Sequence, residues 1–215
     1  MSGSARSSAS GRELVLASAS PRRHRLLAEA GLEFRIVPAD VDESMDLALP
    51  AGGVAEDLAL RKARSVAARE GCDDALVLGS DTVVVLGEDG TAGRRFLEKA
   101  ADAEEASSML AALSGTRHRV ITGVALVDAR TGAWRAVHEV TWVTMRTLSA
   151  AEVAAYVASG EWVGKAGAYA IQETADRFVV RLEGGGFDNV VGLPVRLTLE
   201  LLLGIDPTLI VGSSA

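Results

Sequence analysis

The segment Ala75 to Leu86 is the most hydrophobic in the chain, and only Gly79-Ser80-Asp81-Thr82 interrupts it. Leu76, Val77 and Leu78 lead in, and Val83, Val84 and Val85 lead out. A run this apolar and this rich in β-branched residues reads as a core strand. If the strand continues straight through, Asp81 cannot leave the core, and an ionised carboxylate buried without partners is costly. Asp81 therefore needs a metal, a cation or hydrogen bonds, which makes it the first candidate for chemistry.

A second break of the same kind lies earlier. Leu14 to Leu16 read as a short buried strand that runs into Ser18, Ala19, Ser20 and Pro21, followed by Arg22 and Arg23. Ser20 suits a helix N-cap, and Pro21 suits the first helical position, where a missing N–H costs nothing. Arg22 and Arg23 then fall in the first turn, where the helix dipole disfavours cations. Two readings stand: an ordinary strand-to-helix connection with solvated arginines, or an anion site for which a polyphosphate is the obvious ligand.

Composition narrows the partners. The net charge of −7 argues against a general nucleic-acid binder, so phosphate chemistry must rest on a local cluster of cations. Cys72 is the single cysteine, which excludes an intrachain disulfide and a Cys-based zinc site and fits a reducing cytoplasm. Residues 1–12, rich in Ser, Gly and Ala, read as a disordered tail without the apolar core of a signal peptide. Residues 13–204 read as a single domain and 205–215 as a C-terminal tail. No apolar stretch is long enough to span a bilayer, so no membrane partner is expected.

Along the chain, helices are expected over Arg22–Ala30 and Val54–Ala68, and further ones start at Asp102 and Ser149, each with Glu three residues on as in a capping box. Val120–Val127 and Val137–Val143 read as an antiparallel pair around Thr131-Gly132, and Phe178–Leu182 as a strand. Asn189 to Leu203 read as one closing helix with Pro194 in an early turn. The turn Asp40-Val41-Asp42-Glu43 is either a solvated acidic loop or a hard-cation site. Lys62, beside the apolar stripe of its helix, either snorkels or reaches toward a cleft. Gly164 to Gln172 is a loop of small residues that is either a plain connection or a place where backbone approaches a ligand. His24, His118 and His138 lie outside these clusters and read as surface or structural residues.

Taken together, the segments Leu-Ala-Ser-Ala-Ser-Pro-Arg-Arg (16–23), Asp-Val-Asp-Glu-Ser (40–44), Arg-Lys-Ala-Arg (61–64), Gly-Ser-Asp-Thr-Val-Val (79–84), Leu-Ser-Gly (113–115), Lys-Ala-Gly-Ala-Tyr-Ala-Ile-Gln (165–172) and Asn-Val-Val-Gly-Leu-Pro (189–194) resemble the Maf nucleotide pyrophosphatases, also called septum-formation-inhibitor-like proteins. The resemblance runs from Leu14 to Leu203. It implies an α/β fold similar to inosine triphosphatases, with a mixed, strongly twisted sheet flanked by helices and two lobes around a nucleotide cleft. It implies hydrolysis of a nucleoside triphosphate to the monophosphate and pyrophosphate with a divalent cation, Mg²⁺ or Mn²⁺.

By the same resemblance Asp81 matches the general base and Glu43 its companion carboxylate at the metal, with Lys62 and Lys99 completing the catalytic set. Ser18, Ser20, Arg22, Arg23, Thr82, Lys165 and Gln172 match substrate-binding positions. Arg22, Thr82 and Gln172 look like the branch acting on dTTP and UTP and not like the 7-methyl-GTP branch. The resemblance also carries an expectation of a homodimer, and an alternative role as a nucleotide-binding regulator of septum formation and cell division. This sequence departs from the family at Ala100 after Lys99, and at Glu173 after Gln172, where the family has a glycine.

Overall fold

The structure is a computed structural model that describes residues 12–172 and 174–205. The remainder of both expected tails lies outside the described residues. Arg12 does not belong to a tail: its guanidinium donates to Asp128 at 2.6 and 2.9 Å and to the Ala75 carbonyl. A charged side chain with a buried carboxylate in reach overrides the composition of the residues before it.

In chain order the elements are β1 (Leu14–Leu16), α1 (Pro21–Glu29), β2 (Arg35–Ile36), α2 (Ala51–Ala67), β3 (Leu76–Leu86), β4 (Arg95–Leu97), α3 (Ala103–Leu113), β5 (Arg117–Asp128), β6 (Trp134–Met145), α4 (Ala150–Ser159), β7 (Val179–Glu183), α5 (Phe187–Val191) and α6 (Val195–Leu203). They build a mixed sheet in the order β2-β1-β3-β5-β6-β7, parallel where β1 meets β2 and β3 and antiparallel elsewhere. β3 does run straight through Asp81. β5 pairs with it from Leu76 to Val85, but the opposite edge is shared: β1 covers Leu76–Leu78 and β4 covers Val84–Leu86. Residues 79–83 thus face a gap between two short strands, and the interruption read in the sequence sits at that gap.

Helix α2 lies across β3 and β5, and two glycines let it come close. A Cβ on Gly79 would stand 2.1 Å from the Ala59 carbonyl oxygen, and one on Gly123 2.1 Å from that of Ala55. Both glycines share the Asp81 face, because Gly79 is two residues before Asp81 and Gly123 is its register partner. The N-terminus of α2 has Pro50 in the cap position and no side-chain cap of its own; Asp89, from the β3–β4 hairpin, accepts the Ala51 N–H at 3.0 Å instead. Arg119 and Arg94 neutralise Asp89.

The core falls into clusters on the two sides of the gap. Leu16, Leu27, Leu78, Leu193 and Leu202 pack behind α1, whereas Leu97, Leu110, Met145, Tyr156, Tyr169 and Phe178 pack behind the 165–172 loop. These are the two lobes, joined by the long β3 and β5. The capping box of α4 forms between Ser149 and Glu152, and Gly160 ends that helix at φ 75°.

The single closing helix expected over Asn189–Leu203 is in fact two. Gly192 at φ 126° ends α5, and Pro194 opens α6 as its N-cap. Proline lacks the donor a continuous helix needs, so the chain turns there. The turn delivers the Gly192 carbonyl to Arg23 and Ser80. Among the described residues no helix is long and apolar enough to cross a membrane.

Candidate functional site

A cavity of about 400 Å³ opens at the gap in the sheet edge. Ser18, Ser20, Arg22, Arg23, Glu43, Lys62, Asp81, Thr82, Lys99, Lys165 and Gln172 all line it. Residues spread over most of the chain thus meet because β1 ends short, β4 begins late, and the loops after β1, before α2 and after α4 fold into the space between.

The acidic wall is held by a lysine. Lys62 is buried at 8% exposure, and its Nζ donates to Asp81 Oδ1 at 2.5 Å and to Glu43 Oε1 at 2.7 Å. Lys99 donates to the other Glu43 oxygen at 2.7 Å. Lys62 therefore reaches the cleft, and the departure at Ala100 does not displace Lys99, whose backbone bridges to Ala166. Burial works to raise the Glu43 pKa, but the hydrogen bonds and charge of Lys62 and Lys99 hold it down at about 2. Arg61 donates to the carbonyls of Asp42 and Ser44 at 2.6 Å each, fixing the loop on either side of Glu43. The acidic turn is thus neither free nor merely solvated.

The basic wall begins at α1. Ser20 occupies the N-cap position, yet its side chain makes no cap bond; its N–H donates to Ser18 Oγ at 3.2 Å. Arg23 donates to the Gly192 carbonyl at 2.8 Å, Thr82 Oγ1 at 3.2 Å and Ser18 Oγ at 3.3 Å. Burial lowers its pKa, with Asp81 and Glu43 opposing that shift and Arg22 adding to it. Thr82 Oγ1 is also 2.9 Å from Thr122 Oγ1, and Thr122 donates to the Asn189 carbonyl. The Thr82 hydroxyl is therefore engaged in fixing Arg23.

The third wall is the loop from Gly164 to Gln172, with Lys165 buried at 8% exposure. Ala168 stands at φ 57°, a left-handed conformation that alanine rarely adopts and that clusters at ligand sites. Sequence reasoning gave Gly192, Asn189 and Thr122 no role of their own, and the structure decides for His118 between its surface and structural readings: the ring is wholly buried. Asn189 carried a signal, as a polar residue before an apolar pair, and it proves wholly buried, donating to the Val120 carbonyl and Thr141.

With this geometry in view, the family described as Maf-like protein matches residues 13–205. The chain belongs to the Maf family. A dTTP/UTP pyrophosphatase from Pelotomaculum thermopropionicum is 48% identical over 191 residues, covering 89% of this chain and 95% of that one. Another from Moorella thermoacetica is 50% identical over 196 residues, covering 90% and 96%. A third, from Chelativorans sp., is 47% identical over 195 residues, covering 88% and 90%. Among solved structures, a nucleoside-triphosphatase / dITP/XTP pyrophosphatase from Mycobacterium abscessus aligns with 62% of this Maf chain and 72% of its own, at 20% identity and a TM-score of 0.39.

Proposed function

We propose that this Maf protein is a nucleoside triphosphate diphosphatase that cleaves dTTP and UTP between the α- and β-phosphates. The observation that carries the reading is the meeting of Arg22, Arg23, Lys62, Lys99 and Lys165 around Asp81 and Glu43 in one cavity. A cluster of cations on an acidic protein is a local polyanion site. The names of the relatives at 47–50% identity support the substrate.

Ser18, Ser20 and the N–H groups opening α1 suit phosphate oxygens. Apolar side chains at Val84, Val120, Ile171 and Val190 suit a base and sugar, with Gln172 to hydrogen-bond the base edge. Water attacks phosphorus while Asp81 accepts its proton; the new P–O bond forms as the bond to the bridging oxygen breaks, and pyrophosphate leaves with that electron pair. Lys62 keeps Asp81 and Glu43 side by side, and Lys99 and Lys165 offset the charge that builds on the leaving group.

Glu43 and Asp81 would also hold the divalent cation. Among the described residues no three His, Cys, Asp or Glu gather to cage a metal. Two carboxylates completed by water and phosphate oxygens are nonetheless a set that Mg²⁺ accepts. Bound there, the cation supplies charge neutralisation at the phosphates and acidifies water. Cytoplasmic location and a homodimer go with this reading.

The test is pyrophosphate release from equimolar dTTP, UTP, CTP, GTP and 7-methyl-GTP with Mg²⁺ or Mn²⁺, beside calorimetric titration. dTTP and UTP are expected to lead. Tight binding without product would make the protein a nucleotide-binding regulator, and a lead for 7-methyl-GTP would overturn the substrate.

A further inference from the structure

His118 lies near the start of β5, wholly buried, with Nε2 2.8 Å from the Tyr169 hydroxyl and the two rings edge to face at 5.7 Å. Its other ring nitrogen, Nδ1, is buried with no hydrogen-bond partner among the described residues. Burial pulls the His118 pKa down to about 4 and pushes the Tyr169 phenol up, with Tyr156 adding to the second effect. Both rings are therefore neutral at neutral pH. A buried polar ring with one of its two nitrogens unpartnered among the described residues is costly. The one hydrogen bond the ring makes among the described residues is to a residue that lines the cavity.

Tyr169 belongs to the loop that carries Lys165 and Gln172, next to the left-handed Ala168. Other ties hold the same loop. The Gly167 N–H donates to the Leu97 carbonyl at 3.0 Å, and the Ala170 N–H donates to the Tyr156 hydroxyl at 3.3 Å. A backbone held away from its relaxed conformation persists only while its surroundings over-determine it.

We propose that His118 is a positioning residue: through Tyr169 it pins the strained 165–172 loop so that Lys165 and Gln172 face the nucleotide before it binds. Asp81, Glu43 and Lys62 stand on the opposite wall, on β3, the loop before α2 and α2 itself, and are joined to one another through Lys62 and not through that tie. Loosening the loop leaves a smaller binding-competent fraction and weakens apparent affinity by that fraction. Turnover of bound substrate changes less.

The inference rests on the function proposed above, and its test separates the two. In His118→Phe the KM for dTTP and UTP is expected to rise about tenfold, the scale of one lost buried hydrogen bond, with kcat held within about threefold. His118→Gln, whose side-chain amide can bond the Tyr169 hydroxyl, should recover most of the loss. Tyr169→Phe should reproduce it, and the double variant should be no worse than the worse single one. In nucleotide-free protein, amide exchange across 165–172 should quicken in His118→Phe while α2 and β3 stay protected. Unchanged KM and exchange, or additive losses in the double variant, would overturn the proposal. If His118→Phe does not fold, Tyr169→Phe, which removes a single oxygen, carries the same expectations. If the wild type releases no pyrophosphate, the functional reading fails while the exchange comparison still decides whether His118 anchors the loop.

Discussion

Asp81 stands where an open sheet edge meets the buried Lys62, and that position sets what a substitution there does. Asp81→Asn keeps the volume, and Lys62 keeps Glu43 as a partner, so the melting temperature should hold within a few degrees of the wild type. Turnover should fall by ~10²–10⁴, the usual worth of a general base, because an amide neither accepts the proton nor holds a metal as well. A folded variant with near-normal pyrophosphate release would remove Asp81 from the mechanism. Gln172, proposed above to hydrogen-bond the base edge, is tested by a different route. Gln172→Glu exchanges an amide that can donate and accept for a group that only accepts. The O2 and O4 acceptors of uracil and thymine then lose a donor, at a cost of ~1–3 kcal/mol, and guanine gains ground. Comparing kcat/KM for UTP and GTP in both proteins checks this, and an unchanged ratio would take Gln172 out of base selection.

At the scale of elements, the cleft exists because α2 is pressed against β3 and β5 at Gly79 and Gly123, which brings Lys62 within reach of Asp81. A methyl at Gly123 meets helix backbone and not a flexible side-chain end, so it cannot be absorbed by a rotamer change. Gly123→Ala should therefore destabilise the protein by ~1–3 kcal/mol, the usual cost of overpacking. Because the helix must move to accommodate the methyl, activity should drop further than the folded fraction does. Urea unfolding and pyrophosphate release on the same sample measure the two losses. If they fall in proportion, the helix does not carry the site with it.

At the scale of the whole molecule, Arg12 and Asp128 tie the start of the described chain to the β5–β6 turn. Asp128 accepts two bonds from Arg12 and the N–H groups of Arg130 and Thr131. The hydrogen bond from Arg12 leads the causes that lower its pKa from 3.8 to about 2, burial opposing them and the bonds from Thr131 adding to them. A carboxylate with a depressed folded pKa stabilises above its unfolded value and loses that contribution as pH falls through the folded one. The stability gap between wild type and Asp128→Asn should thus be ~1–3 kcal/mol above pH 3.8 and close toward pH 2. A gap independent of pH would show that the pair contributes nothing through charge.

Much of this was legible in the residues alone. The apolar run around Asp81, the hydroxyl-rich turn before Arg22 and Arg23, and the lysine on the apolar edge of α2 each break a local rule. Every candidate chosen on those grounds or by resemblance lines the same cavity. Local rules extend a few residues, and what they missed spans more. Asp89 caps a helix that begins 38 residues earlier, and His118 bonds a tyrosine 51 residues later. Gly192 and Pro194 are local signals for the break in the closing helix, but its purpose is not local, since the Gly192 carbonyl is used by Arg23, 169 residues away. Which residues carry charge, turn and strand can be read from the residues alone, because those preferences are intrinsic to a side chain and its neighbours. Which of them meet is settled by the folded chain, because that depends on where β1 stops, where β4 starts and how closely α2 can approach.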